Sequence, residues 1–271
     1  RGSGSPALLL VIAHHLVMDV VSWGVLLEDL EVGYRQARAG EPVSLPPRTT
    51  SFRDWVAFLE PSSSRNMGIP TRLSRRPYAD VVYAPHSYDA QAEQGSGFAP
   101  DRRAAVINNI SGLAEEAREM GAALWIGEYG GVASDPGIGA YMDAQYDGAA
   151  AVCAGSMYWD YTRDDGYGLL EPSGDEKPAL LEVLVRPYPA RVAGDPISFE
   201  FDEASRTFGL AYRPAREIGA PTEIVVPARV YPSGYRVECG GCRFERAEGR
   251  LLLTHPGPAA VETVTLRPAG P

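Results

Sequence analysis

The sequence predicts an α/β section with a parallel sheet, followed by an all-β section that forms an antiparallel β-sandwich. Two observations carry this prediction. From Val81 onward, short apolar runs alternate with amphipathic helical segments, which is typical of parallel strands joined by right-handed crossovers. From Pro187 onward, apolar and polar residues alternate, with turn residues roughly every ten positions, as in a sandwich. Residues 1–60 have a different pattern and are expected to form a small αβ fragment.

Each element is predicted from its own local pattern. Apolar residues recur at helical spacing in the helices, and short apolar or alternating runs mark the strands. Residues 61–77 are rich in Pro, Ser and Arg and are interpreted as a linker or junction, which gives domains at 1–60, 78–187 and 188–271. The predicted helices are 22–39, 51–59, 102–120, 138–150 and 178–186. The predicted strands are 7–13, 81–85, 122–127, 152–159, 197–201, 207–212, 222–231, 235–239, 242–247, 250–254 and 260–266.

The composition excludes several classes of function. The chain has 271 residues and a net charge of −10, which argues against a general nucleic-acid binder, since such proteins present a basic face. No run approaches the roughly 18 apolar residues of a membrane span, so we expect no transmembrane segment. The apolar run at 7–13 is short and has no small-residue cleavage site, so no secretory signal is expected. The location of the protein stays unknown, with the cytoplasm as the default.

The three cysteines, Cys153, Cys239 and Cys242, are too few for a disulfide-built scaffold. The segment from Cys239 to Cys242 lies between two strand-like runs and is interpreted as a hairpin turn, with or without a local disulfide. A zinc site would need a second cysteine pair or a histidine cluster, and neither accompanies this motif, so we expect no metal. Redox catalysis is disfavoured because no βα unit follows the pair.

Polar side chains follow three neighbouring strands of the α/β section. The apolar run 124–127 ends in Glu128, and two glycines then mark a tight turn. The preceding strand ends in the segment 86–89, and the following strand ends in the segment 158–161. The carboxyl ends of parallel strands lie at the same edge of a sheet, and in βα-barrels the loops there surround one pocket. We therefore expect these side chains to meet.

A carboxylate, a phenol, an imidazole and an indole in one pocket suit sugar chemistry. Trp159 offers an apolar face to a sugar ring, and the Tyr88 hydroxyl can donate to a carboxylate and keep it ionised. His86 can hold a sugar hydroxyl or the carboxylate. Each residue also has an ordinary alternative: Glu128 as a strand-end acid bonded to backbone or Arg, Trp159 as core, and His86 as the cap of a turn.

Residues 78–271 resemble the C-terminal half of a family 5 glycoside hydrolase, close to the bacterial endoglycoceramidase and glucosylceramidase branch. The resemblance implies a partial (β/α)8 barrel, in which the three predicted strands are barrel strands six to eight, followed by the family's sandwich. It implies no metal and no organic cofactor. The matching segments are Val82-Tyr83-Ala84-Pro85-His86-Ser87-Tyr88-Asp89, Trp125-Ile126-Gly127-Glu128-Tyr129-Gly130-Gly131 and Ser156-Met157-Tyr158-Trp159-Asp160-Tyr161.

The same resemblance assigns roles to four residues. It implies that Glu128 is the nucleophile of a retaining β-glycosidase. His86 and Tyr88 match the His-x-Tyr of the sixth strand, where the Tyr orients the nucleophile. Trp159 matches the eighth-strand Trp that stacks under the sugar being cleaved. The implied substrate is a glycoside or glycolipid, of the glycosphingolipid or glucosylceramide type.

The sequence departs from this family at the second carboxylate. Retaining hydrolysis needs a nucleophile and a proton shuttle about 5–5.5 Å apart. In the family the shuttle is a Glu that follows an Asn on strand four, whereas the one Asn in residues 1–77 is Asn66, followed by Met67. We therefore expect an incomplete site and little activity from the chain alone. The open edge of a half barrel also predicts self-association.

The N-terminal segment resembles a second family. The run His14-His15-Leu16-Val17-Met18-Asp19 is similar to the His-His-x-x-x-Asp motif of nonribosomal peptide synthetase condensation and epimerization domains, and the segments 26–30 and 46–52 extend the likeness. The resemblance implies that His15 is catalytic and that Asp19 is a structural acid. Val20 stands where the family usually has Gly.

Three hypotheses about function follow. The favoured one is a retaining glycosidase in truncated or chimeric form. The second is a condensation or epimerization fragment that acts on carrier-bound aminoacyl groups. The third is a non-catalytic module that docks to carbohydrate or to a membrane surface through the sandwich.

Overall fold

The computed structural model of the protein describes residues 20–45, 57–71, 81–215, 217–255 and 260–270. The chain divides into two compact units, Arg1–Trp55 and Val56–Pro271. In the first unit the described residues contain helix α1 (Val20–Ala39), which confirms the helix predicted at 22–39. The strand predicted at 7–13 lies outside the described residues. In the part of the chain that the structure describes, no helix combines the length and apolar character that crossing a bilayer requires.

A parallel sheet of four strands, in the order β1-β2-β3-β4, opens the second unit. In its middle, Val82 lies opposite Ala123 and Tyr83 opposite Leu124. The three strands predicted here are confirmed, with bounds shifted by a few residues. The strands are β1 (Ala57–Leu59), β2 (Val81–Tyr83), β3 (Ala123–Tyr129) and β4 (Gly155–Tyr158).

Strand β1 corrects the helix predicted at 51–59. Its residues pair in parallel with β2, so that Ala57 lies opposite Val81 and Leu59 opposite Tyr83. Three apolar residues are too short a run for periodicity to separate strand from helix, and the pairing with a distant segment decides the conformation. The sheet therefore has one strand more than predicted. The remainder of the predicted helix, 51–56, lies outside the described residues.

The helices that follow the strands supply the core of this section. Buried residues of α3 recur at helical spacing, and the helix ends at Gly121, whose φ of +66° is the left-handed conformation that favours glycine. Helix α4 packs closely on α3. Gly148 allows this approach, since a side chain there would collide with Ile110. The three helices predicted in this section are confirmed with slightly different bounds, whereas the four-residue helix α2 was not predicted. The helices are α2 (Ala90–Glu93), α3 (Arg103–Met120), α4 (Ile138–Ala151) and α5 (Pro178–Leu184).

Two antiparallel four-stranded sheets form the predicted sandwich, in the orders β10-β11-β8-β5 and β6-β7-β12-β9. Alternate residues of the strands are buried and form one core, to which β7 contributes Phe208, Leu210 and Tyr212. The strands are β5 (Tyr188–Arg191), β6 (Gly194–Asp202), β7 (Thr207–Pro214), β8 (Thr222–Val225), β9 (Tyr235–Cys239), β10 (Arg243–Ala247), β11 (Arg250–Thr254) and β12 (Glu262–Pro268).

Two sandwich predictions need correction, and proline explains both. The strand predicted at 222–231 ends at Val225, because Pro227 has no N–H to donate and instead accepts turn hydrogen bonds from residues 230 and 231. Strand β5 was not predicted, since Pro189 lies within it. Proline is tolerated there because β5 is an edge strand of its sheet.

A buried arginine joins the α/β section to the sandwich. Arg186 is 2% exposed, and its guanidinium donates to Asp143 Oδ1 at 2.6 Å and lies over the Tyr146 ring, 4.6 Å from the centroid. The Tyr146 ring in turn meets Phe199 of β6 edge-on. Burial raises the pKa of Asp143, but hydrogen bonds from Arg186 and Arg103 outweigh that effect and lower it overall. The charged form of this acid is therefore part of the folded state.

A second buried arginine fixes the loop before β2. Arg65 lies on a 3-10 helix (Ser63–Met67) and is 3% exposed. Its guanidinium donates to Glu116 Oε2 at 2.8 Å and to Asn109 Oδ1 at 2.7 Å, both on α3. The Tyr83 hydroxyl also donates to Glu116, at 2.7 Å. The described part of the predicted linker is thus bonded firmly to the α/β section.

We expect Glu116→Ala to lower the free energy of unfolding by about 3–5 kcal/mol, because it leaves the Arg65 charge buried without its partner. Urea denaturation followed by circular dichroism measures the change. Glu115→Ala removes the neighbouring, exposed acid and serves as the control. Equal denaturation midpoints for the two variants would contradict the importance of this ion pair.

Candidate active site

The ends of β2 and β3 hold Glu128 and His86 opposite each other. The two residues form a parallel bridge, and the Ser87 N–H donates to the Glu128 carbonyl at 2.9 Å. Gly127 is needed beside them, because a Cβ there would lie 2.9 Å from the Ala84 carbonyl oxygen. The backbone therefore fixes where the Glu128 side chain starts.

Tyr88 makes the shortest polar contact with the Glu128 side chain. Its hydroxyl donates to Glu128 Oε1 at 2.5 Å, and the Glu128 side chain is 23% exposed. Burial and the hydrogen bond to this carboxylate raise the pKa of Tyr88 far above its usual value. The phenol consequently keeps its proton at neutral pH and remains a donor to Glu128.

His86 touches the same carboxylate from the side. Its Nδ1 lies 3.6 Å from Glu128 Oε1, and its Nε2 lies 3.4 Å from Glu60 Oε1. The imidazole thus lies between two acids. Glu128 Oε1 faces both Tyr88 and His86, so these contacts leave Oε2 as the oxygen available for chemistry.

Trp159 follows the end of β4 and is half exposed. Its backbone N–H donates to the Tyr129 carbonyl at 2.7 Å, and the Trp159–Asp160 peptide is cis. A Cβ at Gly130 would collide with the Trp159 carbonyl oxygen and lie 2.9 Å from the Tyr167 ring. The glycine after Glu128 and Tyr129 therefore permits the close approach of the β4 end.

These side chains surround an open cleft of about 630 Å³. The structure brings three of the four predicted barrel residues, Glu128, Tyr88 and Trp159, to its wall, whereas His86 contacts Glu128 without lining the cleft. His15 and Asp19, the second predicted site, lie outside the described residues. The lining residues are Ser63, Ser64, Asn66, Tyr88, Glu93, Glu128, Trp159 and Tyr167.

Glu93 and Tyr167 are cleft residues that the sequence did not reveal. The Tyr167 hydroxyl donates to Glu93 Oε1 at 2.7 Å, and the Tyr167 ring meets the Tyr88 ring edge-on at 6.4 Å. Burial raises the pKa of Glu93, and the nearby negative charge of Glu128 adds to this rise. Glu93 belongs to a short helix and Tyr167 to a long loop, so neither follows a strand end, which was the signal that identified the others.

Parallel strand ends that present a carboxylate, a phenol donor and an exposed indole to one cleft are typical of barrel glycoside hydrolases. Comparison with known families agrees. Residues 52–165 match the cellulase model (glycosyl hydrolase family 5), and residues 186–267 match the family 5 C-terminal domain. Residues 3–66 match the condensation domain. Residues 52–165 and 186–267 are therefore similar to the C-terminal part of a family 5 glycoside hydrolase, and residues 3–66 to a condensation domain, which confirms both resemblances.

Solved structures of endo-glycoceramidase II from Rhodococcus sp. share this fold. The complex with ganglioside GM3 has a TM-score of 0.71 and 28% sequence identity, over 80% of this chain and 50% of that chain. The lactosyl-enzyme intermediate of the same protein has a TM-score of 0.68 and 28% identity. Sterylglucosidase 1 from Cryptococcus neoformans, at 18% identity and a TM-score of 0.58, shares the fold over 70% of this chain and 38% of its own. The chain spans about half the length of the endo-glycoceramidase structures it matches.

Curated relatives match the N-terminal segment. Chondramide synthase cmdD from Chondromyces crocatus is 56% identical over 64 residues, which are 24% of this chain and 2% of that protein. Tyrocidine synthase 1 from Brevibacillus parabrevis is 50% identical over 52 residues, or 19% of this chain and 5% of that protein. The likeness is high but covers a very small share of each synthase.

We expect Gly130→Ala to destabilise the protein by about 1–3 kcal/mol, because the new methyl group would push the Trp159 backbone out of place. Chemical denaturation measures this loss. Gly219→Ala is the control, since a Cβ there meets nothing within 4 Å. If both variants unfold at the same denaturant concentration, the approach of the β4 end to Gly130 is less tight than described.

Proposed function

We propose that residues 56–271 act as part of a retaining β-glycosidase, with Glu128 as the nucleophile. The observation that supports this most directly is the 2.5 Å hydrogen bond from Tyr88 to Glu128 Oε1 inside a cleft that also exposes Trp159. An uncharged donor orients the carboxylate without neutralising it. A carboxylate in this state can attack an electrophilic carbon.

In the proposed first step, Glu128 Oε2 attacks the anomeric carbon and the glycosidic C–O bond breaks. The product is a glycosyl ester of Glu128. Water then attacks the same carbon and releases the sugar with net retention of configuration. Trp159, being half exposed at the cleft, would stack on the sugar ring, and Glu93 would accept hydrogen bonds from sugar hydroxyls. His86 is proposed as a positioning residue, since it touches the nucleophile but not the cleft.

The leaving group presents the difficulty in this chain. A natural glycoside leaves as an alcohol and needs a proton, which general acids supply with a gain of about 10²–10⁴-fold. The sequence of residues 1–77 has no Asn-Glu pair to match the family's proton donor. We therefore propose that the chain by itself is slow on natural glycosides, and that it represents a truncated or chimeric form of the enzyme.

A glycolipid is the proposed substrate class. The solved relatives at 28% identity include a ganglioside GM3 complex and a lactosyl-enzyme intermediate, and this chain covers half of such a protein. The proposed class includes both glucosylceramide and longer glycosphingolipids.

The condensation-domain match carries a second candidate function. Residues 3–66 would then act on carrier-bound aminoacyl groups, with His15 as the catalytic residue and Asp19 as a structural acid. An assay with aminoacyl carrier proteins tests this candidate directly. Product formation that is lost in His15→Ala would support it, and unchanged product formation in that variant would exclude it.

We also propose self-association through the edges of the parallel sheet. Among the described residues, β1 and β4 are its outer strands, and Phe58 on β1 is 64% exposed. An unpaired strand with an exposed aromatic side chain favours pairing with another chain. We expect analytical ultracentrifugation to show dimers or larger species that Phe58→Glu reduces. Ile218→Glu, at an exposed position in the loop between β7 and β8, is the control and should leave the distribution unchanged.

Trapping of the glycosyl-enzyme tests the proposed nucleophile. We expect 2,4-dinitrophenyl 2-deoxy-2-fluoro-β-glucoside to label the chain covalently, because dinitrophenolate leaves without a proton and fluorine slows the release of the sugar. Peptide mass spectrometry should place one fluoroglucosyl group on Glu128. The reactivity toward a glycolipid should be lower by about 10²–10⁴-fold than that of an enzyme with its proton donor.

Two variants make the trapping result decisive. Glu128→Gln should remove the label completely, whereas Glu119→Gln, an exposed acid on α3, should be labelled as fast as the unchanged protein. A label on another residue, or a label that persists in Glu128→Gln, would disprove the assignment.

A further inference from the structure

Four side chains that can bind metals lie near one another at one end of the sandwich, and none of them lines the cleft. The turn between β9 and β10 carries Cys239 and Cys242, which form a disulfide. Their two Sγ atoms and a carboxylate oxygen of Glu262 all lie within 4.8 Å of one another. His255 adjoins this group, since its Nδ1 is 3.6 Å from Glu262 Oε2.

Glu262 is an acid on the core-facing side of its strand. It starts β12 on the same face as Val264 and Leu266, which are fully buried core residues, and it is itself 3% exposed. Its Oε1 accepts hydrogen bonds from the N–H groups of Gly240 and Gly241, at 2.8 and 3.3 Å. These bonds aim the carboxylate at the turn that carries both cysteines. A buried carboxylate is costly unless a cation or a full set of donors accompanies it.

The two ring nitrogens of His255 differ in their hydrogen bonding. Its side chain is 8% exposed, and Nε2 bonds to the Tyr212 hydroxyl. Nδ1 is buried and has no hydrogen-bond partner among the described residues. A buried nitrogen without a hydrogen bond is unfavourable, so a ligand for it would stabilise the folded state. Histidines that bind metals show the same division, with one nitrogen fixed by a neighbour and the other free for the ion.

We propose that reduction of the Cys239–Cys242 disulfide creates a zinc site formed by the two thiolates, Glu262 and His255 Nδ1. The fold supplies the two ligands that the sequence motif lacks, since Glu262 and His255 come from β12 and from the residue after β11. Zinc prefers four such ligands in a tetrahedron, with bonds of about 2.0–2.3 Å. The ligand atoms of such a tetrahedron lie less than 4.8 Å apart. Both Sγ atoms and the Glu262 oxygen are already within 4.8 Å of one another here, so only small movements are needed.

The chemistry of the switch balances with a thiol reductant. Two thiols of the reductant supply two electrons and two protons, the Cys239–Cys242 bond breaks, and the reductant leaves as its own disulfide. Zn²⁺ then displaces the two thiol protons and binds the thiolates. The ion would connect β9 and β12 of one sheet to the β10 and β11 hairpin of the other, in place of the disulfide.

Metal titration of the full chain tests this proposal independently of any glycosidase activity. The protein is reduced with dithiothreitol, freed from reductant under anaerobic conditions and titrated with Co²⁺, then with Zn²⁺. We expect one equivalent of Co²⁺ to give thiolate-to-cobalt charge-transfer absorption, which Zn²⁺ abolishes. The oxidised protein, which has the same sequence and fold, should show no such absorption. Zn²⁺ should raise the Tm of the reduced form alone.

Variants assign the four ligands. Cys239→Ser with Cys242→Ser should abolish the absorption, and Glu262→Gln or His255→Gln should each weaken Zn²⁺ binding at least tenfold. Cys153→Ser is the matched cysteine control and should bind as the unchanged protein does. The proposal is wrong if the reduced protein gives no charge-transfer band, if the oxidised protein gives an equal one, or if Cys153→Ser alone removes it.

Discussion

The parallel pairing of β2 with β3 is the constraint on which the cleft depends. The ladder continues beyond β2, so that His86 faces Glu128 and the Ser87 N–H reaches the Glu128 carbonyl. Side chains alternate between the two faces of a strand, so a slip of one residue would turn Glu128 away from Tyr88. The small volume of Gly127 allows the two strand ends to approach closely enough for this contact.

Two buried ion pairs connect segments outside the long helices to α3 and α4. Arg65 carries the Ser63–Met67 segment, whose first residues line the cleft, and bonds to α3. Arg186 does the same between α4 and the sandwich, through Asp143. Both guanidinium groups are almost completely buried. Loss of either partner of a buried ion pair strongly destabilises the folded protein, because the remaining charge is left without compensation. The Ser63–Met67 side of the cleft is thus bonded to the helical core of the α/β section.

The sequence sufficed for those site residues that follow strands. Glu128, Tyr88 and Trp159 could be predicted because an apolar run that ends in a polar or aromatic residue is a local signal. Glu93, Tyr167 and Asn66 reach the cleft from a short helix, a loop and a 3-10 helix, and only the tertiary fold places them there. The same limit explains why β1 was missed, because pairing with β2 determines its conformation. It also explains Glu262 and His255, whose approach to Cys239 and Cys242 requires strands from both sheets.

The position of β1 bears on how the two family matches divide this polypeptide. The condensation match runs to residue 66 and the cellulase match begins at residue 52, so the two overlap. Within that overlap, Ala57–Leu59 already pairs with β2, and Arg65 donates to Glu116 of α3. Physically, these residues are part of the α/β section that carries the cleft. An N-terminal segment that can be removed without damage to the α/β section would have to end before Ala57. A cut further along the chain would remove β1 and the Ser63–Met67 segment that borders the cleft.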